Sequence, residues 1–116
     1  MAISVAARKN KGRKCQQDAR DRILAIHPEL TCDDCRSTAM GSAGVDIQLS
    51  ARAKELHPFS YECKHIANGF AEVYKALDQA DRNDGATPLV FAKRDRSKPF
   101  VAMYADDFYA LISKIA

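Results

Sequence analysis

The runs Gly44-Val45-Asp46-Ile47-Gln48-Leu49 and Phe59-Ser60-Tyr61-Glu62-Cys63-Lys64 decide how this chain is read. Both are short and strand-like, and each carries an acid. Side chains alternate across a strand, so Glu62 and Lys64 share one face and Cys63 takes the other. If the two runs pair as a hairpin, Asp46 comes beside Glu62, with Lys64 next to both. Two carboxylates and an amine at one point of a sheet make a poor core but a good site for Mg²⁺ and a water molecule. Mg²⁺ takes oxygen ligands in a near-octahedral array at about 2.0–2.1 Å and keeps several waters. Asp46, Glu62 and the backbone carbonyl of Cys63 supply a partial shell, with places left for water and a phosphate oxygen. Lys64 can orient or help deprotonate the attacking water and offset charge on the phosphorus. The plain alternative is a surface ion pair between Glu62 and Lys64 on an ordinary strand.

Working outward, residues 1–12 lack apolar periodicity, contain Gly12 and read as a flexible basic arm, which leaves 13–116 as one domain. Cys15, Ala19, Ile23 and Ile26 give helical spacing from Arg13 to Ile26, and Pro28 ends it. Leu30–Ser37 reads as a first, edge-like strand, residues 40–44 as a flexible turn, and Val45–Ser50 as a second strand. Ala51–His57 is a short helical or looped connection before Pro58. Phe59–Ile66 is a third strand, broken at Asn68-Gly69. Phe70, Val73, Tyr74, Leu77 and Ala80 predict an amphipathic helix over 70–82, with Phe70 and Tyr74 facing the core. Asn83-Asp84-Gly85 offers a left-handed C-cap. Pro88–Ala92 is an apolar strand, Arg94–Lys98 a basic turn and Pro99–Tyr104 the return strand. Asp106 is placed to cap a last helix whose inner face carries Phe108, Leu111, Ile112 and Ile115. The order of helix, three strands, helix, two strands, helix predicts an α/β fold. Its centre is a mixed five-stranded sheet flanked by helices.

A chain of 116 residues that is 47% hydrophobic can bury one core. It has no apolar run near the length of a membrane span, and a cytoplasmic location is the expectation. The net charge of +3 is modest, but it is unevenly placed. Arg8, Lys9, Lys11, Arg13 and Lys14 form one basic cluster, and Lys93, Arg94, Arg96 and Lys98 form another around Asp95. Basic clusters flanking an acidic centre suit a polyanion held around a metal, against the alternative of a solvated tail and turn. Cys32 and Cys35 have the spacing of a zinc or redox pair, but Cys15 and Cys63 are isolated in sequence, so reduced and mostly buried thiols are expected. His65 points away from Lys64 and reads as structural; His27 and His57 read as loop residues.

Gly44-Val45-Asp46, Glu62-Cys63-Lys64, the basic N-terminal segment and helix, the Ser/Gly-rich turn and a later helix bearing Gln79 together resemble the PD-(D/E)XK nuclease superfamily. Within it the chain is most similar to the archaeal-type Holliday-junction resolvases and related phage nucleases. The resemblance spans most of the chain and implies a restriction-endonuclease-like core. It implies that Asp46 and Glu62 hold the metal, that Lys64 serves the water, and that Gln79 joins the site. Val45 stands where the name-giving proline would be. The family usually places a glutamate on the first helix; here Gln16, Gln17 and Asp18 are the candidates, which favours a site dominated by one ion.

The resemblance implies a Mg²⁺-dependent endonuclease, with Mn²⁺ substituting, that leaves a 5′-phosphate and a 3′-hydroxyl. It also implies branched or junction DNA as substrate and a homodimer that nicks two strands. If the chain is phage-encoded, its location is the host cytoplasm. Arg36, Ser37, Ser42, Lys93, Arg94 and Arg96 join the N-terminal cations as candidate DNA contacts. Nothing reads as a base-specific element, so recognition is expected through DNA shape and backbone. Other readings are a nuclease acting on flaps or plain duplex, a non-catalytic DNA-binding module that keeps the fold, and a zinc-stabilised protein.

Overall fold

The computed structural model describes residues 4–39, 44–66 and 69–115. In chain order it contains α1 (Val5–Ile26), β1 (Cys35–Ser37), β2 (Ile47–Leu49), α2 (Ala51–Leu56), β3 (Phe59–His65), α3 (Gly69–Ala80), β4 (Thr87–Lys93), β5 (Phe100–Ala102) and α4 (Ala105–Ile115). The architecture is α/β, in two sheet pieces. β1 and β2 form an antiparallel pair, and β3, β4 and β5 form a mixed sheet in that order. β3 and β4 run parallel, from Phe59 opposite Thr87 to His65 opposite Lys93. The α3 crossover between them makes that orientation possible. β5 returns antiparallel to β4, with Phe91 opposite Val101.

Helices cover both faces of this sheet. On one side α1 places Cys15, Ala19 and Ile23 against Cys35, Ile47, Tyr61, Cys63, Leu89 and Phe91. On the other, α3 places Ala76 and Leu77 against Ile66, Val90 and Ala92. Cys15, Cys35 and Cys63 act there as small apolar residues, and burial pushes the Cys15 thiol up to about 11 and raises the other two. Cys32 is exposed while its motif partner Cys35 is buried in the core. Among the described residues, no group of three or more His, Cys, Asp or Glu side chains could hold a metal ion.

Several expectations need correction. α1 begins at Val5, where the Ser4 side chain accepts the Ala7 N–H, so Arg8, Lys9 and Lys11 ride on a helix rather than a flexible arm. Ala, Lys, Arg and Gln sustain a helix by propensity even where no apolar stripe announces it. The first strand shrinks to Cys35–Ser37, because residues before it form turns. In those turns Asp34 accepts the Thr31 N–H and the Ser50 hydroxyl, tying the turn to the start of α2. His27 and His57 are the C-caps of α1 and α2. They also form a chain, His27 Nε2 to His57 Nδ1 at 3.1 Å and His57 Nε2 to the Tyr61 hydroxyl at 2.7 Å. Burial, and His27 beside it, push His57 down to about 4. α3 buries Ala76, Leu77 and Ala80 but leaves Phe70 and Tyr74 exposed. α4 begins at Ala105, so Asp106 lies in its first turn rather than capping it. Its expected inner face does not reach the core: Phe108 and Ile115 are exposed and Leu111 is half-buried. The side chain of Ile112 lies outside the described residues. No described helix is long and apolar enough to cross a membrane.

Ile23 is 1% exposed at the centre of the α1 contact. Ile23→Ala should cost about 2–5 kcal/mol, read as a lower urea midpoint with an unchanged m-value. A loss below about 1 kcal/mol would show that α1 does not dock as described.

Candidate functional site

Asp46 immediately precedes β2 and is fixed from both sides. Thr38 donates its N–H to the Asp46 carbonyl at 2.8 Å, and the Thr38 hydroxyl donates to the Val45 carbonyl. On the other side the Asp46 N–H donates to the Tyr61 carbonyl at 3.4 Å. Its carboxylate Oδ2 accepts the Cys63 N–H at 2.7 Å. The expected hairpin between the two motif runs therefore does not form: β2 ladders with β1, and among the described residues the hydrogen bonds from this strand to β3 come from Asp46.

This bridge orients the rest of the site. In an extended strand the N–H and C=O of one residue project toward the same edge. Since the Cys63 N–H points at Asp46, the Cys63 carbonyl faces the same edge. The side chains of Glu62 and Lys64 project from β3 on the α3 side, opposite Tyr61 and Cys63, which pack under α1. The Glu62 carboxyl lies beside that of Asp46, close enough for each to shift the other. Gln16, buried on α1, lies near enough to the Asp46 carboxylate to favour its charged form. Of the three first-helix candidates it is the one the structure brings to Asp46. Gln17 is half-buried, and Asp18 is engaged with Arg22 at 2.8 Å.

Two carboxyls this close and this buried cannot both ionise freely. Burial, then the Asp46 charge, pushes Glu62 up to about 7, against the pull of Lys64 and Arg82. Burial also raises Asp46, opposed by the Cys63 N–H, the Glu62 and Gln16 hydrogen bonds and the Lys64 charge. Burial and mutual repulsion both favour a proton on the pair, and a cation placed between the two would compete with it. Asp46, Glu62 and the Cys63 carbonyl are the oxygens that would hold such an ion, which fits the hard-oxygen preference of Mg²⁺.

The remaining candidates scatter more widely. Gln79 is exposed on α3. Arg82, just beyond the C-terminus of α3, is the cation on this side whose charge reaches Glu62. No pattern in the sequence marks it. Lys93 lies on the α1 side of the sheet rather than beside Glu62 and Lys64. There Lys11, Lys14, Asp18, His65, Lys93 and Asp95 surround a cavity of about 300 Å³. Lys11 Nζ is 2.8 Å from Asp95, and His65 Nε2 is 3.1 Å from the same carboxylate. Arg8, Lys9 and Arg13 are exposed along α1, and Arg36 is exposed on β1 beside the half-buried Ser37. Arg94 donates to the Ser97 hydroxyl, and Arg96 holds a positive φ of 60° in the basic turn. Ser42 lies outside the described residues.

Compared with protein-family models, curated proteins and solved structures, the chain matches none.

The raised Glu62 has a consequence for stability. A carboxyl whose folded pKa lies near 7, above its ordinary 4.5, favours the fold while protonated. That contribution is lost as pH rises from about 4.5 through 7. Glu62→Gln keeps a neutral hydrogen-bonding group in place. It should match wild type near pH 5 and melt higher at pH 8 without metal, by on the order of 4 °C after allowance for solvent screening. Equal melting temperatures at pH 8 would show that the pair is not strained.

Proposed function

We propose that this chain is a Mg²⁺-dependent DNA endonuclease of the PD-(D/E)XK type, selective for DNA structure and resembling the Holliday-junction resolvases. The observation that carries the reading is the Asp46–Glu62 carboxyl pair, with the Cys63 carbonyl facing it and Lys64 next on the Glu62 face. The β1–β2 pair and the β3–β4–β5 sheet, joined at Asp46, correspond on this reading to one five-stranded restriction-endonuclease-like core.

A Mg²⁺ ion bound at Asp46 and Glu62 would polarise the phosphate and make a bound water acidic enough to attack. Lys64, half-buried beside the pair, orients that water and offsets the charge that builds on the phosphate, and the water's proton passes to solvent. The water oxygen bonds to phosphorus while the bond from phosphorus to the 3′ oxygen breaks. The products are a 5′-phosphate and a 3′-oxygen that takes a proton from solvent. Gln16 and the Cys63 N–H hold the Asp46 carboxylate in place, and Arg82 offsets charge near Glu62. The exposed cations of α1 and the Arg94–Lys98 turn supply backbone contacts, so binding follows DNA shape and weakens with salt. The working form is a homodimer in the cytoplasm.

Gln16 also favours a second reading. Where resolvases place a carboxylate, this chain presents a neutral amide to Asp46, as a DNA-binding module that no longer cleaves would tolerate. A cleavage panel of four-way junctions, flaps, single strands and linear duplex separates the two. Cleavage should require Mg²⁺ or Mn²⁺ and favour branched DNA. Asp46→Asn and Lys64→Ala should each cut the rate by about 10²–10³-fold or more, with DNA binding retained. A wild-type chain that binds but cuts nothing supports the module; either variant cutting at the wild-type rate removes the site assignment.

A further inference from the structure

The C-terminal helix is poorly served by its own chain. α4 makes only marginal contact with the other elements. Yet Phe108, Leu111 and Ile115 stand at helical spacing along one stripe. Phe108 is 43% and Ile115 74% exposed, and Tyr109 beside them is 69% exposed. Among the described residues the preceding strand, β5, pairs with β4 on one side alone, and it exposes Phe100 and Val101. The chain exposes 7859 Å² in all. A monomeric protein of 12.8 kDa is expected to expose about 6,300 Å². The surplus exceeds the ~800 Å² that each partner gives to a standard interface.

The charges flanking the stripe point to what covers it. Asp106 and Asp107 occupy the first turn of α4 and Lys114 the last. Asp107 and Lys114 are separated by two turns, so they lie on the same flank of the stripe. Two such helices packed antiparallel bring like flanks together and set Asp107 of each against Lys114 of the other. A parallel arrangement would set each flank against the opposite one, so Asp107 and Lys114 would not meet. Antiparallel packing also opposes the helix dipoles head to tail. A membrane surface is a poor alternative occupant, since helices that lie on lipid carry mainly Lys and Arg on the polar side.

We infer that α4 is the dimer face of this protein. It packs against α4 of a second copy, antiparallel about a two-fold axis, on Phe108, Leu111 and Ile115, with two symmetric Asp107–Lys114 pairs at the rim. This assembly rests on the homodimer of the proposed function and assigns its face, but its test reads mass rather than cleavage, so either can fail without the other.

Sedimentation velocity on the full chain tests it, with circular dichroism as a check on folding. Wild type should run as a dimer at ~10 µM, and Phe108→Glu or Ile115→Glu should raise the dissociation constant at least ~10-fold with an unchanged spectrum. Lys114→Glu alone should weaken the dimer by ~5-fold, and Asp107→Lys with Lys114→Glu should restore it. The double reversal keeps the proposal testable should Phe108→Glu fail to fold. A wild-type monomer at ~100 µM overturns it, as does a dimer indifferent to both the Phe108 and Lys114 changes. So does wild-type binding to phosphatidylserine vesicles that Phe108→Glu abolishes.

Discussion

A single side chain takes the place of a strand ladder. The Asp46 carboxylate accepts the Cys63 N–H, and this hydrogen bond, with the Asp46 N–H to the Tyr61 carbonyl, bridges the β1–β2 pair to β3. A charge-assisted bond of this kind is worth about 1.5–3 kcal/mol where it is sheltered from water. Its cost is a half-buried carboxylate. The carboxylate is offset by Gln16 from α1, the Cys63 N–H and the nearby charge of Lys64, while Glu62 beside it is pushed toward its neutral form. The group that joins the two sheet pieces is thus also the group least content to remain uncompensated.

That double use explains the arrangement around it. Thr38 clamps the backbone on either side of the Val45–Asp46 peptide, so the carboxylate has little freedom to swing away. β3 carries the candidate site and contributes to both packed faces. Its odd residues, Tyr61 and Cys63, lie under α1, and its even residues, Glu62 and Lys64, face the α3 side. Parallel pairing with β4 holds this register over seven residue pairs, so neither Glu62 nor Lys64 can slip without inverting a face. The basic residues do not converge on the carboxylates in the same way. Lys11, Lys14 and Lys93 gather on the α1 side around Asp95, which suits support of an extended polyanion rather than chemistry at one phosphate.

Much of this was legible from residue order. Alternation in Phe59–Lys64 fixed which side chains share a face, and the apolar spacing of α3 and the breakers at Pro28 and Pro58 placed the elements close to where they fold. What escaped notice has physical causes. The α1 extension rests on intrinsic helix propensity, which leaves no periodic trace in Arg8–Lys14. Phe70 and Tyr74 fit an apolar stripe, but small Ala76 and Ala80 bring α3 close to the sheet on a face rotated away from both rings. The link between Asp46 and Cys63 joins a side chain to a backbone N–H, a contact that pattern alone does not encode. The choice of Gln16 over Gln17 or Asp18 depends on helix phase at a particular docking angle. Arg82 lies past the end of α3, where no helical spacing from Gln79 could place it.

The central claim is that the Asp46–Glu62 pair favours a proton which a divalent cation displaces. Calorimetric titration of the wild-type chain with MgCl₂, in buffers of different ionisation enthalpy, measures this directly. The account predicts one ion bound per chain, with about half a proton released at pH 7, approaching one near pH 6 and falling toward zero by pH 8. Asp46→Asn should abolish that binding. No binding to wild type, or binding without proton release at pH 6, would contradict it.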